Sequence, residues 1–210
     1  MHKNVEIIFV RHGESNGNIG YTEDGFHPDD PRLTERGLQQ AVRLARRFQG
    51  ENISAIYASA LLRTCQTVQP LAEMKNQSIF VLRELMEVGT VIPNTAPALV
   101  SEYAPNAYAG VVETASLPVL FPPDSYDPHI SEQRAVYSMD RIMERCEDGD
   151  RVVICTHGGF IGYLIRYCLG ISLPETFNWQ IDNCAVFRIL FSDQKIPKLC
   201  SANDISHLIC

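Results

Sequence analysis

Three observations predict an α/β fold, a three-layer α/β/α sandwich with a mostly parallel central sheet and an irregular inserted cap. Short apolar, β-branched runs alternate with segments of helical periodicity along the 210-residue chain. Two of those runs stop abruptly in His-Gly, at His12-Gly13 and His157-Gly158. One proline-rich stretch interrupts the alternation. Strands that alternate with helices pair in parallel and are covered on both faces.

The elements follow in order. Residues 5–10 are an apolar run and read as a buried strand. Residues 33–48 form a helix, because Leu38, Ala41, Val42, Ala45 and Phe48 recur at helical spacing. Thr34 is placed to cap its start, and Gly50 to end it. A strand over 53–59 precedes a helix from about residue 61, which Pro70 should bend or interrupt. A short strand over 79–82 follows. Residues 132–147 are strongly periodic through Ala135, Val136, Met139, Ile142, Met143 and Cys146. Asp148-Gly149-Asp150 is a turn into a strand over 151–156. A helix over 160–169 closes at Gly170, and a last strand covers 184–191. In the tail, residues 206–209 offer an edge strand.

Residues 90–130 differ in composition. Seven of the twelve prolines lie there: Pro93, Pro97, Pro105, Pro118, Pro122, Pro123 and Pro128. No lysine or arginine occurs between Arg83 and Arg134. We read one domain over 1–210, with 85–130 as a lid or cap insertion; long irregular insertions are often functional.

Composition narrows the function. Hydrophobic residues at 45% and charged residues at 20% suit a soluble globular protein. A net charge of −7 disfavours nucleic acid and anionic membrane as partners. No run reaches membrane-spanning length and the N-terminus has no signal-peptide core. Seven cysteines without metal spacing, Cys155, Cys168 and Cys184 among them in apolar runs, indicate a reduced, cytoplasmic protein. Trp179 or the apolar tail could form a homodimer interface, or pack on the chain's own core.

Arg11-His12-Gly13 puts a cation and an imidazole at a strand's carboxyl edge, where open α/β sheets place ligands. Four segments share the pattern of a known family. They are Arg11-His12-Gly13-Glu14-Ser15, the stretch 33–41 (Leu-Thr-Glu-Arg-Gly-Leu-Gln-Gln-Ala), Tyr57-x-Ser59-x-Leu61-x-Arg63-Thr64, and Thr156-His157-Gly158-Gly159. In this order they resemble the histidine phosphatase superfamily, in the branch shared by cofactor-dependent phosphoglycerate mutases and related phosphatases. The resemblance covers about residues 5–190.

That resemblance implies a metal-independent phosphatase needing no cofactor and acting on a small phosphorylated substrate. A neutral imidazole on His12 would attack phosphorus and form a phosphohistidine. Arg11 and Arg63 would clamp the phosphoryl oxygens, and His157 would face His12 across them. Asn18, Ser15 and Gly158 are further phosphate contacts, although Asn18 and Ser15 also suit helix caps. The family's general acid is a glutamate after the third strand. Glu84 fits its leucine-x-glutamate context and is favoured; Glu87 lies closer to Gly89 and is the alternative. Thr34 and Gly37 look structural.

A phosphoglycerate mutase is the second reading. It would have to grip a carboxylate and a second phosphate, whereas the insert is poor in basic residues and carries Tyr103, Tyr108, Phe121 and Tyr126. Such an insert disfavours polyanions and suits a smaller or partly apolar monoester. A phospho-ligand-binding module without turnover is the third reading. It sits poorly with the presence of Arg11, His12, Arg63, His157 and a candidate acid.

Overall fold

A computed structural model describes residues 3–21, 30–90, 102–108, 126–172, 179–192 and 196–209. Its elements are β1 (Val5–Arg11), α1 (Glu35–Arg47), β2 (Ala55–Ser59), α2 (Leu62–Lys75), β3 (Ile79–Leu82), β4 (Ala107–Tyr108), α3 (Pro128–Arg145), β5 (Arg151–Thr156), α4 (Gly158–Leu169), β6 (Val186–Phe191) and β7 (Lys198–Asp204). Among the described residues the strands form one sheet in the order β4-β3-β2-β5-β1-β6-β7. The five from β4 to β1 run parallel, and β6 and β7 add an antiparallel edge.

Strand periodicity builds the layers. Ile7, Phe9, Val152 and Ile154 face one way, onto Ala135, Met139 and Ile142 of α3 and Phe160, Ile161 and Leu164 of α4. Their neighbours Ile8, Val10, Val153 and Cys155 face the other way, onto Leu44 and Phe48 of α1 and Val68 and Leu71 of α2. Side chains alternate faces along a strand, so a continuous apolar run needs a helical layer on each side. This is the three-layer sandwich expected. At the amino end of β1 and β5, Glu6 and Glu51 each pair with Arg151 and Arg188.

Three expectations are amended. Helix α2 continues through Pro70 instead of ending there. Nearly every side chain from Leu62 to Ala72 is buried, and that packing outweighs one lost backbone bond. Helix α3 starts earlier, at Pro128, because Asp127 caps it by accepting the His129 N–H at 2.9 Å. The tail's edge strand is β7, while Ser206–Leu208 is a single 3-10 turn. Lys198–Asp204 holds no β-branched residue, so its strand comes from pairing with β6 rather than from propensity. Trp179 packs on the core and stacks on Phe187 with ring centroids 6.4 Å apart.

Within the proline-rich stretch, residues 91–101 and 109–125 lie outside the described residues. The described part adds β4 to the sheet beside β3. The two ends of the stretch meet. Gly89 has φ +71°, and a Cβ there would lie 2.2 Å from the Tyr126 ring.

Candidate active site

Register brings the two histidines together. β1 and β5 pair up to Arg11 and Thr156, and the His12 N–H still donates to the Thr156 carbonyl at 3.0 Å. The next residues, His12 and His157, therefore stand side by side at the carboxyl edge. Their ring centroids are 5.2 Å apart at 58°. Both are buried. β2 flanks β5 and ends at Ser59, whose Oγ lies 2.9 Å from His157 Nε2. α2 starts three residues later, with Arg63 in its first turn. The Arg63 Nε–H donates to His12 Nε2 at 3.4 Å.

The hydrogen bonds assign the His12 tautomer. Nδ1 lies 2.7 Å from the Gly13 carbonyl, which can only accept, so Nδ1 carries the proton and Nε2 the lone pair. Burial, then the Arg63 charge, holds His12 well below the usual histidine range, and it is neutral at physiological pH. His157 is likewise lowered first by burial and then by the Arg63 charge, with His12, Arg134 and Arg11 adding to it. Its Nδ1 is buried without a hydrogen-bond partner among the described residues.

Each arginine has a carboxylate nearby. Asp30, nearly fully buried, lies 3.9 Å from Arg63 Nη1 and accepts the Leu62 N–H at 2.7 Å. It holds the start of α2 and the cation together. Arg11 donates from Nη1 to the Ile181 carbonyl. Its Nε is buried without a partner among the described residues. Burial lowers the Arg11 pKa, while Glu87 and then Asp182 oppose that. Gly158 opens α4 directly under this guanidinium; a Cβ there would sit 3.4 Å from Arg11 Nε.

Ser15 and Asn18 serve the local loop. The Ser15 N–H and Oγ both contact Asn18 Oδ1, at 3.0 and 3.2 Å, at the start of the 3-10 turn Asn16–Ile19. Asn183 Nδ2 reaches Asn18 Oδ1 at 3.1 Å and the His12 carbonyl at 3.0 Å. The capping alternative therefore describes Ser15 and the Asn18 oxygen in this structure. A cavity of about 430 Å³ opens nearby, lined by Glu14, Arg43, Asp182 and Leu208 among others, but neither His12 nor His157 lines it.

The two glutamates part company. Glu84, the one favoured from sequence, is buried and accepts from Arg141 Nη1 of α3 at 2.7 Å. Glu87 instead caps the start of α4, accepting the Phe160 N–H at 3.0 Å and the Gly159 N–H at 3.2 Å. Glu87, not Glu84, is the carboxylate coupled to Arg11. The turn Arg83–Leu85 between them rotates the chain so that residues three apart face different helices.

Ser59, Asp30 and Asn183 were not assigned roles from sequence. Ser59 stood inside a quoted motif, where a strand-terminal serine was the available signal. Asp30 and Asn183 reach the site only through long-range contacts.

Comparison with known proteins follows from this geometry. A family model described as the histidine phosphatase superfamily (branch 1) matches residues 7–204. Phosphoserine phosphatase 1 of Hydrogenobacter thermophilus is 38% identical over 222 residues, spanning 97% of this chain and 94% of that protein. A probable phosphoglycerate mutase of Erwinia tasmaniensis is 28% identical over 213 residues, spanning 97% and 95%. Among solved structures, a mutant phosphoserine phosphatase from Entamoeba histolytica in complex with phosphoserine has a TM-score of 0.67 at 23% identity, covering 98% of this chain and all of that one. The last likeness concerns fold alone.

Proposed function

The chain belongs to the histidine phosphatase superfamily, branch 1, and on that premise we propose that it hydrolyses a small phosphate monoester through a phosphohistidine on His12. The observation that carries this reading is the neutral His12, with its Nε2 lone pair turned to Arg63 and beside His157. Arg63 now bonds the nitrogen that would attack; an incoming phosphate would take over that donor. Arg11 and Arg63 then offset charge on the phosphoryl oxygens. His157 fits as a donor through Nδ1. Ser59 Oγ accepts the Leu61 N–H at 3.3 Å, which leaves its own proton for His157 Nε2.

The steps balance. Nε2 of His12 bonds to phosphorus as the ester oxygen departs. Glu87 gives the departing oxygen its proton. Water then attacks phosphorus, its proton returns to Glu87, the N–P bond breaks, and inorganic phosphate leaves. Glu87 is preferred over Glu84 because it lies beside Arg11 at the start of α4, whereas Glu84 is bound to Arg141; the negative charge of a bound phosphate would favour the protonated form of Glu87. The single-domain reading with 85–130 as a cap belongs to the same proposal; the meeting of Gly89 and Tyr126 close to Glu87 supports it.

The test is hydrolysis of para-nitrophenyl phosphate in excess chelator, wild type beside His12→Ala. Chelator-resistant turnover that falls by about a thousandfold or more in the variant is expected. Loss of turnover in chelator would contradict the proposal. Isomerisation of phosphoglycerate without hydrolysis would make the chain a mutase, and phosphate-ester binding without either would make it a binding module.

A further inference from the structure

The buried face of α3 carries an anomaly. It consists of Ser131, Arg134, Ala135, Ser138, Met139 and Ile142, and one of these is a full cation. Arg134 is only 2% exposed. Its Nη1 is buried with no hydrogen-bond partner among the described residues. Arg141, about two helical turns along, is by contrast paired with Glu84. A buried guanidinium without a direct ion pair is expensive, and it calls for an anion that the described residues do not supply.

Position indicates which anion. The guanidinium carbon lies 4.2 Å from the centroid of the Phe160 ring. Phe160 is in the first turn of α4 and gives its N–H to Glu87. Arg134 is therefore adjacent to the candidate acid, on the side of the site where an ester's alcohol half would leave. Its electrostatic neighbours agree. Glu87 and then Glu84 hold up its pKa, which burial nonetheless lowers to about 10, and Arg134 in turn helps to keep His157 neutral.

We propose that Arg134 is a specificity-determining residue that binds a carboxylate on the alcohol half of the substrate. This rests on the phosphatase reading above. A carboxylate is planar and singly charged, and it matches the paired donors of one guanidinium. A second phosphate, with up to two charges, would be only partly offset by one guanidinium, and the segment between Arg83 and Arg134 supplies no further lysine or arginine. The site so built admits one extra negative charge and resists more.

The test compares esters that differ in the carboxylate: 3-phosphoglycerate against glycerol 3-phosphate, and phosphoserine against phosphoethanolamine. Phosphate release should favour the carboxylated member in the wild type. In Arg134→Gln and Arg134→Met that preference should fall by about a hundredfold, chiefly through KM, the scale expected when one partner of a buried charge pair is removed. The ligand-free unfolding midpoint of Arg134→Met should hold or rise, since a desolvated cation is gone. A wild type indifferent to the carboxylate, an unchanged ratio in the variants, or a midpoint lowered by several degrees would each overturn the assignment. Calorimetric binding of 3-phosphoglycerate and glycerol 3-phosphate in a His12→Ala background separates the two levels. A preference that disappears with Arg134 there supports the subsite even without turnover, and an absent preference rejects it. Failure of the phosphatase reading shows separately, as no release from any ester.

Discussion

Glu84 and Glu87 are three residues apart, and their carboxylates have different work. Glu84 neutralises Arg141 inside α3's interface, so Glu84→Gln should cost about 1–3 kcal/mol of stability by leaving that arginine poorly matched, and alter turnover little. Glu87→Gln should lower kcat by roughly 10²–10⁴ on an alkyl phosphate. The loss should be much smaller on para-nitrophenyl phosphate, whose leaving oxygen barely needs a proton. Equal losses on both esters would remove Glu87 from the acid's role. At this scale the histidines and arginines were legible, because strand ends bearing His-Gly and a helix-starting Arg63 are local patterns. The different surroundings of the two glutamates were not: Glu84 turns to Arg141 and Glu87 to the start of α4, after the 3-10 turn Arg83–Leu85. Asp30 and Asn183 escaped for a related reason, since each acts on a residue far along the chain.

Between elements, the tightest joint is backbone against backbone. Helix α1 begins with Thr34, whose Oγ accepts the Gly37 N–H at 3.0 Å. That turn lies on the loop after His12. A Cβ on Gly37 would sit 2.0 Å from the Glu14 carbonyl oxygen, and one on Gly13 would sit 2.9 Å from the Gly37 carbonyl. Backbone cannot swing aside as a side chain can. Gly37→Ala should therefore destabilise by about 2–4 kcal/mol, lowering the unfolding midpoint by roughly 5–15 °C in a chain of this size. Activity should fall with it, because the loop leads straight to His12. Leu38→Ala, on the exposed side of the same turn, is the control and should stay within about 0.5 kcal/mol. A tolerant Gly37→Ala would mean that the joint relaxes. Elements with a clean period or a cap, β1, α1, β5 and α4, were readable in advance. β7 was not, because its polar residues form a strand only once β6 offers an edge, nor was the continuation of α2 past Pro70, because burial along the helix is a tertiary fact.

At the scale of the whole molecule, folding holds His12, His157 and His207 below the ordinary histidine value. Alternation of strands and helices predicted a sandwich with its site at one sheet edge, and the register of β1 on β5 buries His12 and His157 together there. Both sit below the ordinary value of 6.5, through burial first and the Arg63 charge second. His207 is half-buried beside Arg47 and is lowered to about 4, again by burial and then by Arg47. The sign follows from proton counting. As pH drops through 6.5 the unfolded chain takes up protons at these positions and the folded chain does not, so folding weakens. Above 6.5 all are neutral in both states, and stability is flat with respect to them. His12 and His157 can each contribute up to about 1.4 kcal/mol per pH unit below that point, a steep loss for a domain stable by about 5–15 kcal/mol. The unfolding midpoint should hold from pH 8 to 7 and decline below 6.5, with a shallower decline in His157→Asn. The same neutrality keeps the His12 lone pair available in mild acid, so the acid limb of kcat/KM should not set in at 6.5 through His12. A midpoint that stays level down to pH 5 would show that these imidazoles take up protons in the folded protein as readily as in the unfolded chain, and the acid limb of kcat/KM would then set in at about 6.5 through His12.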